Sequence, residues 1–293
     1  MAAFEKRYVF QRRLVLKTAL HLGGGRLDLT STDAPLIRTP GGEPFIPGSS
    51  IKGVFRSTVE KLVGVLPGVK SCMLASDNEW GCIGPRGETQ RAFHNKRQKE
   101  NWSEKEYLAQ LDQRLCHTCK LFGSPFMVSR IFFDDLYLMD RDLTATQIRD
   151  GVGIDRDSEK AVDRVKFDYE VVAAGAEFLL RITVDNPTEV DLALIAAGLM
   201  ELQNNFVRLG GKKSSGLGSC QLTDLNIHFL DLGIPQGEIL EEKAEDMLKR
   251  LKKYLLGSSL EKKMTSVTDV PKFLGEKIEF LFREGFLDAQ KIS

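Results

Sequence analysis

No apolar run in this chain of 293 residues approaches the roughly 18 needed to cross a bilayer. The opening Met-Ala-Ala-Phe-Glu-Lys-Arg leads into no signal-like hydrophobic core. A soluble, cytoplasmic protein with no membrane partner is expected. Net charge is missing as well, because 41 basic residues balance 41 acidic ones. The basic excess that usually marks a nucleic-acid-binding domain is therefore absent from the chain as a whole. Charge is local instead: residues 86–105 carry six basic and three acidic side chains, and residues 134–163 are acidic. Such a dipolar surface suits subunit stacking as well as an RNA groove. Histidine is scarce, and His21, His94, His117 and His228 form no clear pair, which disfavours catalysis by paired imidazoles. Five cysteines are too few for a secreted disulfide framework at this length. Low-complexity tracts and internal repeats are also lacking.

The most informative stretch runs from Thr32 to Ser57. It places a lone carboxylate, Asp33, ahead of a Gly-Pro turn and the start of a basic helix. Pro47-Gly48 closes the loop, and Ser49 or Ser50 offers a hydroxyl to cap the new helix. Ile51, Val54, Phe55, Val59 and Leu62 recur at helical spacing and give it a buried stripe. Lys52 and Arg56, four residues apart, are expected on the exposed face. Unpaired N–H groups beside a lysine and an arginine suit a phosphate; an ordinary capped surface helix is the plainer alternative.

Before this stretch, Tyr8, Phe10, Leu14, Leu16 and Leu20 alternate with polar residues as in a half-buried strand. His21 then heads a run of three glycines, Gly23 to Gly25, that permits close approach to a ligand or simply makes a flexible turn. After the helix the periodicity fails from residue 66 to 126, and the cysteines appear there. Cys72 and Cys82 precede Cys116-His117-Thr118-Cys119. The C-x-x-C pair is a chelating knuckle, and four thiolates make a closed tetrahedral zinc site, with His94 or His117 as possible replacement ligands. Reduced, buried cysteines are the alternative. Between the pairs, Arg91, Lys96, Arg97 and Lys99 accompany Phe93 and Trp102. That mixture can bind single strands by charge and stacking, although a solvated helix face has the same composition.

A strand is expected over 130–138, followed by a polar stretch to Arg164. Val165, Phe167, Tyr169 and Val171, then Leu180, Ile182 and Val184, predict two antiparallel strands joined by a short turn. A helix over 187–206 leads to Arg208-Leu209-Gly210-Gly211-Lys212-Lys213-Ser214-Ser215-Gly216-Leu217-Gly218. This loop offers amides and ammonium groups to an anion. It lacks the glycine and Ser/Thr spacing of a Walker loop. A final strand holds Cys220, Leu222, Leu225, Ile227 and Phe229, and residues 236–293 form a helical extension.

The order strand, helix, strand, strand, helix, strand predicts an α+β fold, with the antiparallel sheet of a ferredoxin-like or RNA-recognition-type palm. Phe45-Ile46-Pro47-Gly48-Ser49-Ser50-Ile51-Lys52-Gly53-Val54-Phe55-Arg56 resembles the signature of the repeat-associated (RAMP) superfamily, and Gly210 to Gly218 resembles its glycine-rich loop. Thr32-Asp33-Ala34-Pro35-Leu36-Ile37-Arg38 is similar to the catalytic-aspartate loop of one branch, the backbone subunit of type III CRISPR effector complexes. Gly151 to Phe167, with Ile154-Asp155-Arg156, resembles the thumb hairpin that wedges into the guide–target duplex.

The resemblance implies an RNA-binding domain over residues 1–235. Within it lie the cysteine-bearing insertion at 66–126, a thumb at about 139–170 and the glycine loop at 210–218. It further implies an endoribonuclease of CRISPR antiviral defence, which binds guide RNA (crRNA) and cuts complementary target RNA through Asp33. Mg2+ or another divalent ion would assist cleavage, Zn2+ would be structural, and other RAMP subunits and a large subunit would be partners. RNA-binding candidates are His21, Ser49, Ser50, Lys52, Arg56, Ile154, Arg156, Gly211, Lys212, Lys213, Ser214 and Ser215. Asp28 is a competing carboxylate. A non-cutting scaffold, or a nuclease that processes precursor guide RNA, are the alternatives.

Overall fold

The computed structural model describes residues 4–24, 32–64, 66, 69–72, 82, 87–140, 146–233 and 241–290. Asp28 and Gly25 lie outside the described residues. In chain order the elements are β1 (Lys6–Leu16), β2 (Phe45–Ile46), α1 (Gly48–Val63), α2 (Gly87–Lys99), α3 (Glu104–Arg114), α4 (His117–Phe122), β3 (Ile131–Phe133), β4 (Leu136–Tyr137), β5 (Thr146–Ile154), β6 (Ala161–Val172), β7 (Glu177–Asp185), α5 (Glu189–Gln203), β8 (Cys220–Asp231), α6 (Glu241–Leu256), α7 (Leu260–Lys263), β9 (Thr265–Ser266) and α8 (Val270–Gln290).

The main sheet has the order β3-β7-β1-β8-β9, with every neighbouring pair antiparallel. Setting β9 aside, this is the split β-α-β arrangement, in which the first strand lies between the third and the fourth. In β1 the inward set Phe10, Leu14 and Leu16 meets Ile182, Phe178 and Ile227 of the flanking strands in one buried core. A bulge at Gln11–Arg13 matches Asp224, which adopts φ 49° on the facing strand and ion-pairs with Arg12 at 2.9 Å.

Helices α1 and α5 cover one face of the sheet. Helix α1 buries Ile51, Phe55, Val59 and Val63, four residues apart along one stripe; such side chains contribute about 1.5–3 kcal/mol each. Helix α5 starts in a capping box between Thr188 and Asp191. Its Gly198 lies against the Phe55 ring, leaving no room for a Cβ. Leu274 and Leu281 of α8 join this same core. At one end of the opposite face, Val9, Leu230 and Met264 pack with Met247, Leu251 and Tyr254 of the extension.

Several sequence expectations are corrected here. Strands β6 and β7 do not form a hairpin with each other. Strand β6 pairs with β5 in the region where the resemblance, though not the alternation of residues, implies a hairpin, while β7 crosses into the palm. The chain changes partner because Val172 exchanges both backbone hydrogen bonds with Leu20 and Gly175 N–H donates to Leu16. The strand expected over 130–138 is interrupted at Asp134-Asp135. The cysteine-bearing insertion has a small core of its own, built from Phe93, Leu111 and Leu115 with Trp102, Tyr107 and Phe126. Phe93 is buried among Trp102, Tyr107 and Phe126 rings at 5.4–5.8 Å, so these aromatics serve packing, not base stacking. No helix among the described residues is long and apolar enough to cross a membrane.

Candidate nucleic-acid interface and metal centre

Three loops, around His21, Asp33 and Gly211, meet on β6. The loop carrying Asp33 runs along the strand's free edge. Asp33 N–H donates to Asp168 Oδ1 at 2.7 Å, and Asp168 N–H donates back to Asp33 Oδ2 at 3.0 Å. Glu170 N–H then donates to the Ala34 carbonyl at 3.0 Å, and Leu36 N–H to Glu170 Oε2 at 2.9 Å. Arg38 reaches the same carboxylate at 3.3 Å. Asp33 is left exposed but fixed by its main chain and by one carboxylate oxygen.

His21 approaches β6 from the end of the first palm segment. Its Nδ1 donates to the Glu170 carbonyl at 2.7 Å, since a carbonyl can only accept. Its ring meets Tyr169 edge-on at 5.7 Å, and its own carbonyl accepts from Gly211 N–H at 2.9 Å. That last contact draws the glycine-rich loop in. Gly210 has φ 72°, and a Cβ there would overlap the His21 carbonyl oxygen. Lys212, in the left-handed region at φ 52°, holds its Nζ 4.1 Å from the Phe167 ring and 4.4 Å from Tyr169. Those two rings stack at 6.1 Å. Lys213, Ser214 and Ser215 are exposed beyond them.

The start of α1 is built differently from the expectation. Neither Ser49 nor Ser50 caps it: Pro47 precedes the first helical residue, Gly48, with no side-chain cap. Gly48 N–H instead donates to Asp135 Oδ1 at 2.7 Å. A carboxylate of the protein thus already sits at this helix start, where a phosphate was expected. A Cβ on Gly48 would collide with the Phe133 carbonyl, which explains the glycine in the Pro47-Gly48 turn.

Lys52 and Arg56 do not share an exposed face. Lys52 Nζ donates to Ser129 Oγ at 2.9 Å and to the Ile131 carbonyl at 3.3 Å, and burial followed by repulsion from Arg56 holds its ammonium below the ordinary lysine value. Arg56 pairs with the buried Glu60 at 2.7 Å and donates to the Gly123 carbonyl at 2.9 Å and to Cys119 Sγ at 3.4 Å. The insertion covers this side of the helix, so both cations are structural ties.

Cys72, Cys82, Cys116 and Cys119 converge, with all four sulfurs within 4.8 Å of one another. A tetrahedral Zn2+ with Zn–S of about 2.3 Å would put its sulfurs about 3.8 Å apart, so this donor set fits. Cys116 N–H points at Cys82 Sγ at 3.0 Å and Cys119 N–H at Cys116 Sγ at 3.4 Å. With Arg56, these donors offset the excess negative charge that four thiolates bring to a divalent ion. Mutual hydrogen bonding, with Cys119 as the main donor, draws the Cys116 thiol below its ordinary value. His94 is exposed and contacts Gln98 at 3.2 Å. His117 accepts from Lys70 N–H at 3.1 Å. Neither belongs to the cluster.

With this geometry in view, the family model of the RAMP superfamily matches residues 13–221. The chain belongs to the RAMP superfamily. Among curated proteins, this RAMP chain is 28% identical over 213 residues to the CRISPR system Cms endoribonuclease Csm3 of Enterococcus italicus, covering 68% of this chain and 82% of that one. It is 25% identical over 270 residues to the protein of the same name from Methanocaldococcus jannaschii, covering 87% and 94% of the two chains. A 60-residue stretch is 40% identical to the Methanothermobacter thermautotrophicus protein, over 20% and 24% of the two chains.

The structure brings Asp33, His21, Gly211 and Lys212 of this RAMP chain together on β6. It leaves Ile154 and Arg156 exposed at the far turn of the β5–β6 hairpin. In that turn Asp155 accepts from the Ser158 amide, the Ser158 hydroxyl and the Asp157 amide, which holds its carboxyl below the ordinary aspartate value. Sequence reasoning missed Asp168 and Glu170 as partners of the Asp33 loop. Their alternation with Phe167 and Tyr169 was legible, but nothing in it pointed to Asp33.

Proposed function

We propose that this RAMP protein is the guide-RNA-binding backbone subunit of a type III CRISPR effector complex and cuts guide-paired target RNA at Asp33. The observation that carries this reading is an exposed aspartate anchored to the base of a projecting hairpin, beside a glycine loop that presents Lys212, Lys213, Ser214 and Ser215. Its similarity to proteins named as Csm3 endoribonucleases supports it.

RNA supplies its own nucleophile. The 2′-oxygen attacks the adjacent phosphorus as the P–O5′ bond breaks, leaving a 2′,3′-cyclic phosphate and a 5′-OH. The protein must hold the displaced nucleotide in line, receive the 2′ proton and offset charge on the phosphate. The hairpin, with Ile154 and Arg156 at its exposed turn, provides the displacement. Exposed Ser49, the Gly211 region and Lys212 to Ser215 hold guide backbone. Asp33 receives the proton, or would be the residue that holds a divalent ion. Mg2+ fits a site of one or two carboxylates completed by phosphate oxygens, and would supply charge stabilisation. Cys72, Cys82, Cys116 and Cys119 would hold Zn2+ as a structural clasp for the insertion. Guide RNA, target RNA, further RAMP subunits and a large subunit are the partners.

The test is cleavage of labelled guide-complementary RNA by the assembled complex, with wild type and Asp33→Ala compared with and without magnesium. The variant binds RNA as wild type does and stops cutting. An unchanged cutting pattern would assign this subunit a purely scaffolding role.

A further inference from the structure

We infer that Asp168 is the positioning residue for Asp33, acting through the place of its acceptor oxygen and not through its charge. The inference rests on the reading of Asp33 as the cleaving carboxylate. Asp33 belongs to a loop with no regular secondary structure of its own, so its backbone needs an outside reference. Strand β6 supplies it. The Asp168 carboxylate takes the Asp33 amide, and the Asp168 amide takes Asp33 Oδ2. This reciprocal pair fixes both the Cα position and the rotamer of Asp33 through its amide and Oδ2.

Two residues further along the same edge, Glu170 N–H donates to the Ala34 carbonyl, and the Glu170 carboxylate accepts from Leu36 N–H and Arg38. The loop is therefore keyed to β6 at alternate residues, 168 and 170, whose side chains share one face of the strand. Strand β6 is also one arm of the hairpin. The Asp33 carboxylate is thus referenced to the element that displaces the RNA, and a shift of about 1 Å between them would cost on the order of 100-fold in rate.

Two substitutions separate position from charge. Asp168→Asn keeps the Oδ1 acceptor and removes the charge, whereas Asp168→Glu keeps the charge and moves the acceptor out by one methylene. Both are assembled into the complex and assayed in single turnover at saturating target RNA, beside Asp33→Ala, with RNA affinity and exchange of the Asp33 amide measured on each. Asp168→Asn cuts within about threefold of wild type. Asp168→Glu cuts about 10- to 100-fold more slowly, binds RNA normally and exchanges the Asp33 amide faster.

A wild-type rate in Asp168→Glu overturns the inference. So does Asp168→Asn cutting as slowly as Asp168→Glu, since keeping the acceptor in place without its charge would then not be enough. If Asp33→Ala itself cuts normally, the underlying reading fails; if it is dead while Asp168→Glu is unaffected, only the positioning inference fails.

Discussion

Replacing Gly210 by alanine tests the joint between the glycine-rich loop and His21. Gly210 has φ 72°, and a Cβ there meets the His21 carbonyl oxygen as well as Leu20 Cδ1 at 2.9 Å. The neighbouring Gly211 N–H donates to that same carbonyl. The left-handed conformation costs an alanine about 1–2 kcal/mol. Relief of the overlap must push the loop off His21 and lose a hydrogen bond of about 0.5–1.5 kcal/mol, with about 1–3 kcal/mol more for the overpacking itself. Gly216 is the control, because its φ of 90° carries the conformational cost while nothing lies within 4 Å of its Cβ. Urea unfolding of the two variants should place Gly216→Ala about 1–2 kcal/mol below wild type and Gly210→Ala about 1.5–4.5 kcal/mol lower still. RNA affinity should fall with Gly210→Ala, since Lys212 is displaced from Phe167 and Tyr169. Equal losses in the two variants would refute the close-approach argument.

Purified protein is expected to carry about one zinc per chain by elemental analysis, and a chelator should raise hydrogen exchange across α2 to α4 while leaving β1, β7 and β8 protected; a metal-free preparation with protected helices would sink the zinc assignment. Cys220 is fully buried, and burial pushes its thiol up to about 12. Native protein at pH 8 should therefore leave Cys220 unalkylated. A folded value above the unfolded one means stability intact below about pH 9 and lost as pH rises toward 12, by up to a few kcal/mol; the slope of stability against pH over that range should flatten in Cys220→Ala, and an unaltered slope would contradict the burial argument.

The palm was legible because its strands are buried on one face, so period-two alternation survives in β1, β7 and β8. The hairpin was only half legible. Strand β5, Thr-Gln-Ile-Arg-Asp-Gly-Val-Gly-Ile, stands off the core with Ile148, Val152 and Ile154 exposed. With neither face buried, no alternation is imposed on its sequence. Helix α1 showed its buried stripe through Ile51, Phe55 and Val59. The burial of Lys52 and Arg56 was hidden, because a helix pressed between a sheet and an insertion has two covered sides, and the second is held by polar ties to Ser129, Gly123 and Cys119. The pairing of Asp33 with Asp168 spans 135 residues and follows from topology, which local pattern does not encode.

That topology also says why the three loops meet where they do. The hairpin is inserted between the second and third strands of the palm, and its returning arm, β6, must pass the end of β1 to reach β7. There Leu20 and Val172 exchange hydrogen bonds, which brings His21 against Tyr169 and Glu170. The glycine loop precedes β8, the other neighbour of β1, and so arrives at the same end of the sheet. Only the Asp33 loop reaches this point without a strand to carry it, and it is also the segment held by two carboxylates, Asp168 and Glu170. Backbone bonds from Gly24 N–H to the Pro35 carbonyl and from Ile37 N–H to the Leu22 carbonyl hold the following residues of the loop, so a single substitution at Asp168 can shift Asp33 while the rest of the loop and the palm stay in place. Changes at β6 should therefore act on cutting before they act on folding, whereas changes at Gly210 or Gly198 should act on folding first.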